Sequence, residues 1–559
     1  MSELTTYELE REANIARNRA LLEELDLKDA VTQLGIPPKL KPAPGTRAKP
    51  TQPAKKVKRE REVVEVPRRQ SARLKKEVVD PNESAAQKKQ REEQQKKRRQ
   101  IEEQERLEAE EKARLAKRPR HQELDLTTLG DKLEETEFSS LRSSLQAITN
   151  VPLPKRTADA NAFVFHEDQN NEAEVNELRN KLQKMRVVSR AKVTEYRVYS
   201  AAYHPEATKD LVFFGDKHGQ IGIWDARAPV DEVEDEDGDI STDSREGGKY
   251  WRLQCHWPAS SASSISSIKF DPVDAHSLFT TSYDCTIRRL SFVSGISEEI
   301  FSSEHLITSM DLPVGGHEMW ISDASGGLTH LDLREPKDKA CWYGLSTAKI
   351  GTVSINPTSP HFLLTASNSR ELNGFPRVWD SRKLQKLTSA TGPYQLSQYT
   401  VEDLVCSKKG KGTVRGIFQH GKSVSSAYWD PRGRSIVSTS YDDSLRLWDL
   451  DVAKYDSSPA FPSFTPFRGI KHNCQTGKWV TILRAVWNPN PDVYPHFTIG
   501  NMNYALDIYS CKGHLITRLK DSRLTATQAV TCSHPSVVER CATGNASGRC
   551  VLWAPPDVE

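Results

Sequence analysis

No cysteine precedes Cys255, and none of the nine thiols from Cys255 onward forms a C-x-x-C pair. That excludes a disulfide-stapled small domain and a zinc ribbon, and it predicts reduced thiols in an intracellular compartment. Nothing after the opening MSELTTYE resembles the apolar core of a secretion signal, and no run approaches the roughly 18 to 20 apolar residues of a bilayer span, so a soluble protein without membrane contact is expected. Phosphate-loop spacing, a helical His pair and a Ser-His-Asp order in motif context are also missing. A binding protein with no catalytic residues, no metal, no cofactor and no small-molecule substrate is expected. Between Ala43 and Pro119 there is no aromatic residue and little large aliphatic content, so this stretch cannot bury enough surface to offset the entropy of ordering it.

What that stretch does contain is charge. Lys41 to Arg120 holds 26 Lys and Arg against 14 Asp and Glu, a local net of +12 within a chain that nets only +3, which leaves about −9 for the remainder. The N-terminal region therefore reads as an amphipathic helix over 1–34, with Ile15, Leu22 and Leu25 on one face, followed by a disordered basic arm over 35–170. Alternating charges over 83–118 suit a solvated single helix or coiled coil. The run Lys55, Lys56, Lys58 and Arg59 suits a nuclear import receptor or nucleic-acid phosphates, and a merely solvated tail is the competing reading.

Past Lys192 the chain repeats itself. RVYSAAYHPEATKDLVFFGDKHGQIGIWDAR and KSVSSAYWDPRGRSIVSTSYDDSLRLWDL share a small-residue strand, a Pro-bearing turn, an apolar strand, a polar turn and a closing strand with Trp-Asp. Five weaker copies end at Phe292, Arg334, Arg382, Ser510 and Trp553, which makes seven. A Trp-Asp period of about 40 residues predicts an all-β, seven-bladed WD40 β-propeller over 185–559. The last copy stops after its third strand, so Met185 to Tyr196 is expected to supply the fourth and latch the ring. Trp224, Trp379, Trp448 and Trp553 are expected between blades, and Asp284 and Asp442 in hydrogen-bonded turns.

Three connections stand out. Residues 231–246 carry nine acidic groups and read as a solvated acidic loop or a site for a basic partner such as a histone tail. Residues 407–422 are basic and glycine-rich. Residues 467–483 form an insertion, and FRGIKHNCQTGKWVTILRAVW brings Arg468, Lys471, His472, Lys478, Trp479 and Arg484 together between the fifth and sixth copies.

With YELEREANIARN, RRQSARLK, RVYSAAYHP and HNCQTGKWVTILRAVWNP, the chain resembles the fungal DNA damage-binding WD-repeat proteins, a group related to the small subunit of the UV-damaged-DNA-binding complex. The resemblance implies a nuclear protein that binds duplex and also single-stranded DNA, with a preference for UV-damaged duplex. In the better-studied relative a hairpin after the fifth blade inserts its tip into the minor groove; by blade order it falls here on Lys471 to Leu483 within the insertion 467–483, with its tip near Gly477, Lys478 and Trp479, which implies Arg468, Lys471, His472, Lys478, Trp479 and Arg484 as the DNA-facing set. The relative's aromatic, amide and imidazole triplet is absent from that tip, and Phe418-Gln419-His420, before the fifth copy, is read as a coincidence. The resemblance also implies, through Asp332 with Arg334 and Trp379, Asp380 with Arg382, docking on the adaptor of a cullin-type ubiquitin ligase. The alternative is a scaffold that serves as a ligase substrate receptor or histone-binding module without touching DNA.

Overall fold

Strands Leu211–Asp216 and Gln220–Asp225 are buried at every position, because both faces of their sheet are covered by neighbouring sheets. The same arrangement recurs around a central channel. A computed structural model describes residues 123–130, 133–149, 171–229, 247–368, 374–391, 395–408, 410–461, 463–477 and 479–556. Seven sheets, antiparallel except where Gln395–Leu396 pairs parallel with Cys341–Gly344 at the edge of blade 3, form the blades of a β-propeller. Their innermost strands, in blade order, are Val198–Tyr203, Ile265–Phe270, Ile307–Asp311, Ile350–Ile355, Val424–Trp429, Val486–Trp487 and Val530–Ser533.

The ring is closed by pairing the strand that precedes blade 1 with the third strand of blade 7. Arg186–Ala191 pairs antiparallel with Cys550–Ala554 as the outermost strand of blade 7, and Ala191 and Val193 are fully buried in the cluster that also holds Trp224 and Leu552. Trp224, Trp448 and Trp553 fill the gaps between blades. In blade 2 the imidazole of His256 bridges Asp284 at 2.9 Å and Thr280 at 2.9 Å. In blade 5 His420 lies between Asp442 at 3.4 Å and Ser438 at 3.0 Å. These half-buried carboxylates are satisfied by a turn amide, hydroxyls, imidazoles and, at Asp442, the Arg446 guanidinium at 3.1 Å, as polar groups withdrawn from water must be.

One expectation is corrected: the arm is not featureless throughout 35–170. Glu123–Asp125 adds a fifth strand to blade 2, paired with Ile296–Glu298, and the Asp125 carboxylate caps helix Leu126–Leu129 by accepting from the Thr128 amide. Helix Glu135–Thr149 then lays Leu141, Leu145 and Ile148, spaced i, i+4 and i+7, into the cluster containing Leu253 and Phe292. The low apolar content averaged over the arm hides this short amphipathic segment. A second helix, Asn171–Leu182, places Leu178 and Leu182 in the cluster under blades 5 to 7, and its Arg179 donates to the Ile516 carbonyl. Residues 1–34, 35–122 with the cluster Lys55, Lys56, Lys58 and Arg59, and the acidic loop 231–246 lie outside the described residues.

Candidate nucleic-acid interface

Because neighbouring strands are antiparallel, the connections from an outermost strand to the next innermost strand emerge at the same end of the channel as the turns between second and third strands. That end is termed here the upper rim; the lower rim holds the remaining turns. FRGIKHNCQTGKWVTILRAVW ends one blade and begins the next across the upper rim.

The expected hairpin is corrected first. Arg468–Lys471 is the outermost strand of blade 5, paired with Ser444–Leu447, and among the described residues of 472–485 no strand forms. The chain instead runs from the blade's outer edge to the channel, with side chains alternating inward and outward. His472, Cys474 and Thr476 are buried; Lys471, Asn473 and Gln475 are exposed.

The first half of this connection is clamped by Asp443, whose backbone is left-handed at φ 58°. The Asp443 carbonyl accepts from the His472 amide at 3.0 Å, and its carboxylate accepts from the Cys474 amide at 3.0 Å and from the Gln475 side chain at 3.3 Å. The Tyr441 hydroxyl meets that of Thr476 at 3.1 Å. On the far side the Thr481 hydroxyl donates to the Val198 carbonyl at 2.6 Å, and the Ala485 amide to Thr439 at 3.0 Å. Between these anchors Trp479 stands 82% exposed, the most exposed large apolar side chain among the described residues.

The predicted DNA-facing set therefore divides. Arg468, Lys471 and Trp479 are exposed. His472 is only 5% exposed, and burial lowers its pKa, so it is a neutral inward residue rather than a DNA contact; the alternation that exposes Lys471 turns it in. Arg484 is half-buried and lines the channel, with a buried Nε that has no hydrogen-bond partner, so it does not belong to the exposed tip. Lys478 lies outside the described residues. Trp487 is core, donating to the Tyr428 carbonyl at 3.0 Å.

Sequence reasoning overlooked the rest of this rim. Lys217, Lys422 and Lys520 sit in its turns and connections and, like Lys471, form no ion pair among the described residues. Tyr196, its ring tilted by 37° against His218 with centroids 3.8 Å apart, and Tyr504 are both exposed there. The sequence signal was available: each lies in a connection bounded by strands that the repeats define. The channel beneath has a volume of about 480 Å³ and is lined chiefly by apolar side chains.

The other nominated residues have local partners. His420 is a buried core bridge and half-buried Phe418 packs against Trp448, so of Phe418-Gln419-His420 only Gln419 is exposed. On the lower rim Arg334 forks onto Asp332 of its own turn at 3.0 and 2.7 Å, which holds that carboxyl down at about 2. Trp379 is buried and donates to Thr365. Asp380, fully buried, accepts from Arg382 at 3.0 and 2.8 Å and from buried Arg415 at 2.9 Å, while Arg382 also reaches Asp456 at 2.8 Å. No group of three or more His, Cys, Asp or Glu among the described residues could hold a metal.

The WD domain, G-beta repeat family matches residues 412–449, the outermost strand of blade 4 and the first three strands of blade 5. A protein named DNA damage-binding protein CMR1 from Cryptococcus neoformans var. neoformans serotype D is 37% identical over 621 aligned residues that cover both chains completely. A namesake from Mycosarcoma maydis is 33% identical, covering 99% of this chain and all of the other. One from Phaeosphaeria nodorum is 31% identical, covering 99% and 98%. With Trp-Asp blades on a closed ring and identity along its whole length, the chain belongs to the fungal family of DNA damage-binding proteins CMR1.

Proposed function

We propose that this protein binds DNA on its upper rim, takes damaged duplex, UV-damaged duplex included, in preference to intact duplex, and acts by binding rather than by chemistry. The single observation that carries this reading is Trp479, an indole held out 82% exposed between two anchored halves of a connection. An apolar side chain presented this way suits insertion between base pairs, and a lesion that has already weakened stacking lowers the cost of entry, ordinarily a few kcal/mol. Lys471, Lys217, Lys422 and Lys520, without ion pairs among the described residues, suit phosphate neutralisation around it. The names of the relatives point to the same ligand.

The proposed location is the nucleus, with Lys55, Lys56, Lys58 and Arg59 as the import signal. A second reading has one observation in its favour. Arg334 and Arg382 lie on adjacent blades at the lower rim with partly exposed guanidinium groups, so a ubiquitin-ligase adaptor or a histone docked there would leave the Trp479 rim open. Competition binding with intact duplex, UV-irradiated duplex and single strand at two salt concentrations tests the first reading. It predicts tighter binding to irradiated duplex and steep weakening with salt; equal binding to both duplexes overturns the damage preference.

A further inference from the structure

The turn between second and third strands holds one residue near its end in a left-handed backbone in each of the six blades where it is described: Gly219, Cys285, Gly326, Asp443, Tyr504 and Gly548, with φ from 58° to 96°. Glycine takes this conformation freely, whereas a side chain there is strained. In blades 1, 3 and 7 glycine is also needed for space. A Cβ would stand 2.5 Å from the His256 carbonyl oxygen at Gly219, 2.1 Å from that of Ser346 at Gly326 and 2.1 Å from that of Thr194 at Gly548. Cys285 is buried, and Asp443 holds the Trp479 connection. Tyr504 is different: a large ring in a backbone that disfavours it, and 42% exposed. Its turn shares an anchor with the Trp479 connection, since Met502 and Val480 pack against the same apolar cluster.

We infer that Tyr504 is a ligand-contacting residue, which with Trp479 makes the blade 6 side of the upper rim a stacking platform for unpaired bases. This rests on the proposed DNA-binding reading and names the part of the DNA that is held: bases freed from the duplex stack, whether in a single strand or opened at a lesion. Two exposed rings on a rim that also carries exposed Lys471 and Lys520 fit that class, because stacking accepts any base face while the cations follow the phosphates. Strain retained in an exposed aromatic is consistent with a residue kept for contact rather than for stability.

The test compares wild type with Tyr504→Gly and Tyr504→Phe in the full chain, by anisotropy of a labelled oligothymidine and of an intact duplex, beside thermal unfolding. Glycine should weaken single-strand binding by about fivefold or more, change duplex binding by less than about twofold, and leave Tm unchanged or raised by about 1 to 3 °C as the strain is relieved. Phenylalanine should bind like wild type. Unaltered single-strand binding by the glycine variant, or a lowered Tm that accompanies the loss, overturns the assignment and makes Tyr504 incidental or structural. If wild type binds intact duplex but not the single strand, this inference alone falls. If wild type binds no DNA of any kind, the DNA-binding reading falls with it.

Discussion

The two rims of the propeller use similar cations in opposite ways. On the lower rim Arg227 and Arg540 converge on Asp210, Arg434 and Lys512 on Asp449, and Arg382 and Arg415 on Asp380. These groups tie turns together within and between blades. On the upper rim Arg518 and Arg523 are likewise held by Asp507 and Asp521, but Lys217, Lys422, Lys471 and Lys520 make no ion pair among the described residues, and exposed rings stand among them. Charge content is thus a poor guide to a binding face. Lys383 and Lys454 on the lower rim also make no ion pair among the described residues, so what marks the upper rim is that its unpaired lysines share it with the exposed Trp479 connection.

The largest effect is expected from breaking the lower rim. Asp380→Asn would leave buried Arg415 without its charge partner and should cost about 3 to 5 kcal/mol of stability, read by chemical denaturation, with little effect on DNA contacts at the other end. Burial works against the Asp380 carboxylate, but hydrogen bonds from Arg382 and Arg415 outweigh it and hold its pKa below the ordinary value. A depressed carboxylate contributes stability above its unfolded pKa, near 4, and loses it as the pH falls through the lower folded value. Wild type should therefore lose stability into the acid range, and Asp380→Asn should show a shallower dependence there.

Next in size is the upper-rim charge. Lys471→Ala with Lys422→Ala should leave stability nearly unchanged and lower the slope of log K against log salt by roughly 0.9 for each phosphate contact removed, about 1.8 in total. An unchanged slope would take these lysines out of the interface. Asp443→Ala should act more locally. Losing the clamp on the Cys474 amide and Gln475 should raise hydrogen exchange across His472–Thr476 and weaken DNA binding several-fold. The smallest change in stability belongs to Trp479→Ala, within about 0.5 kcal/mol, since the exposed indole contributes little to the core.

Much of the ring was legible because the repeat writes it out. The Trp-Asp endings at Trp224, Trp379 and Trp448 and the Ser-Tyr-Asp turns at Asp284 and Asp442 mark strand ends, and a last copy one strand short implied the latch that Arg186–Ala191 supplies. Helix Glu135–Thr149 was not legible from composition, because three well-spaced apolar residues in a long polar arm scarcely alter its average. Nor were helices Ser381–Thr391 and Gln398–Cys406, inserted between the third and fourth strands of blade 4. The basic run 407–422 looked like a free connection, yet Val414–Ile417 within it is that blade's outermost strand. At the candidate site the residue types were visible but their directions were not. Blade order suggested a projecting hairpin, whereas strand pairing of Arg468–Lys471 followed by alternation buries His472 and exposes Trp479. Arg484 lies five residues beyond Trp479, far enough for the chain to have entered the channel.

The central claim is that the upper rim reads damage through the exposed indole. Its most direct test is the ratio of affinities for UV-irradiated and intact duplex, measured by competition for wild type and for Trp479→Ala under the same salt. The account predicts a ratio above one for wild type that falls to about one in the variant, with intact-duplex affinity reduced far less. A variant that keeps the wild-type ratio would contradict it.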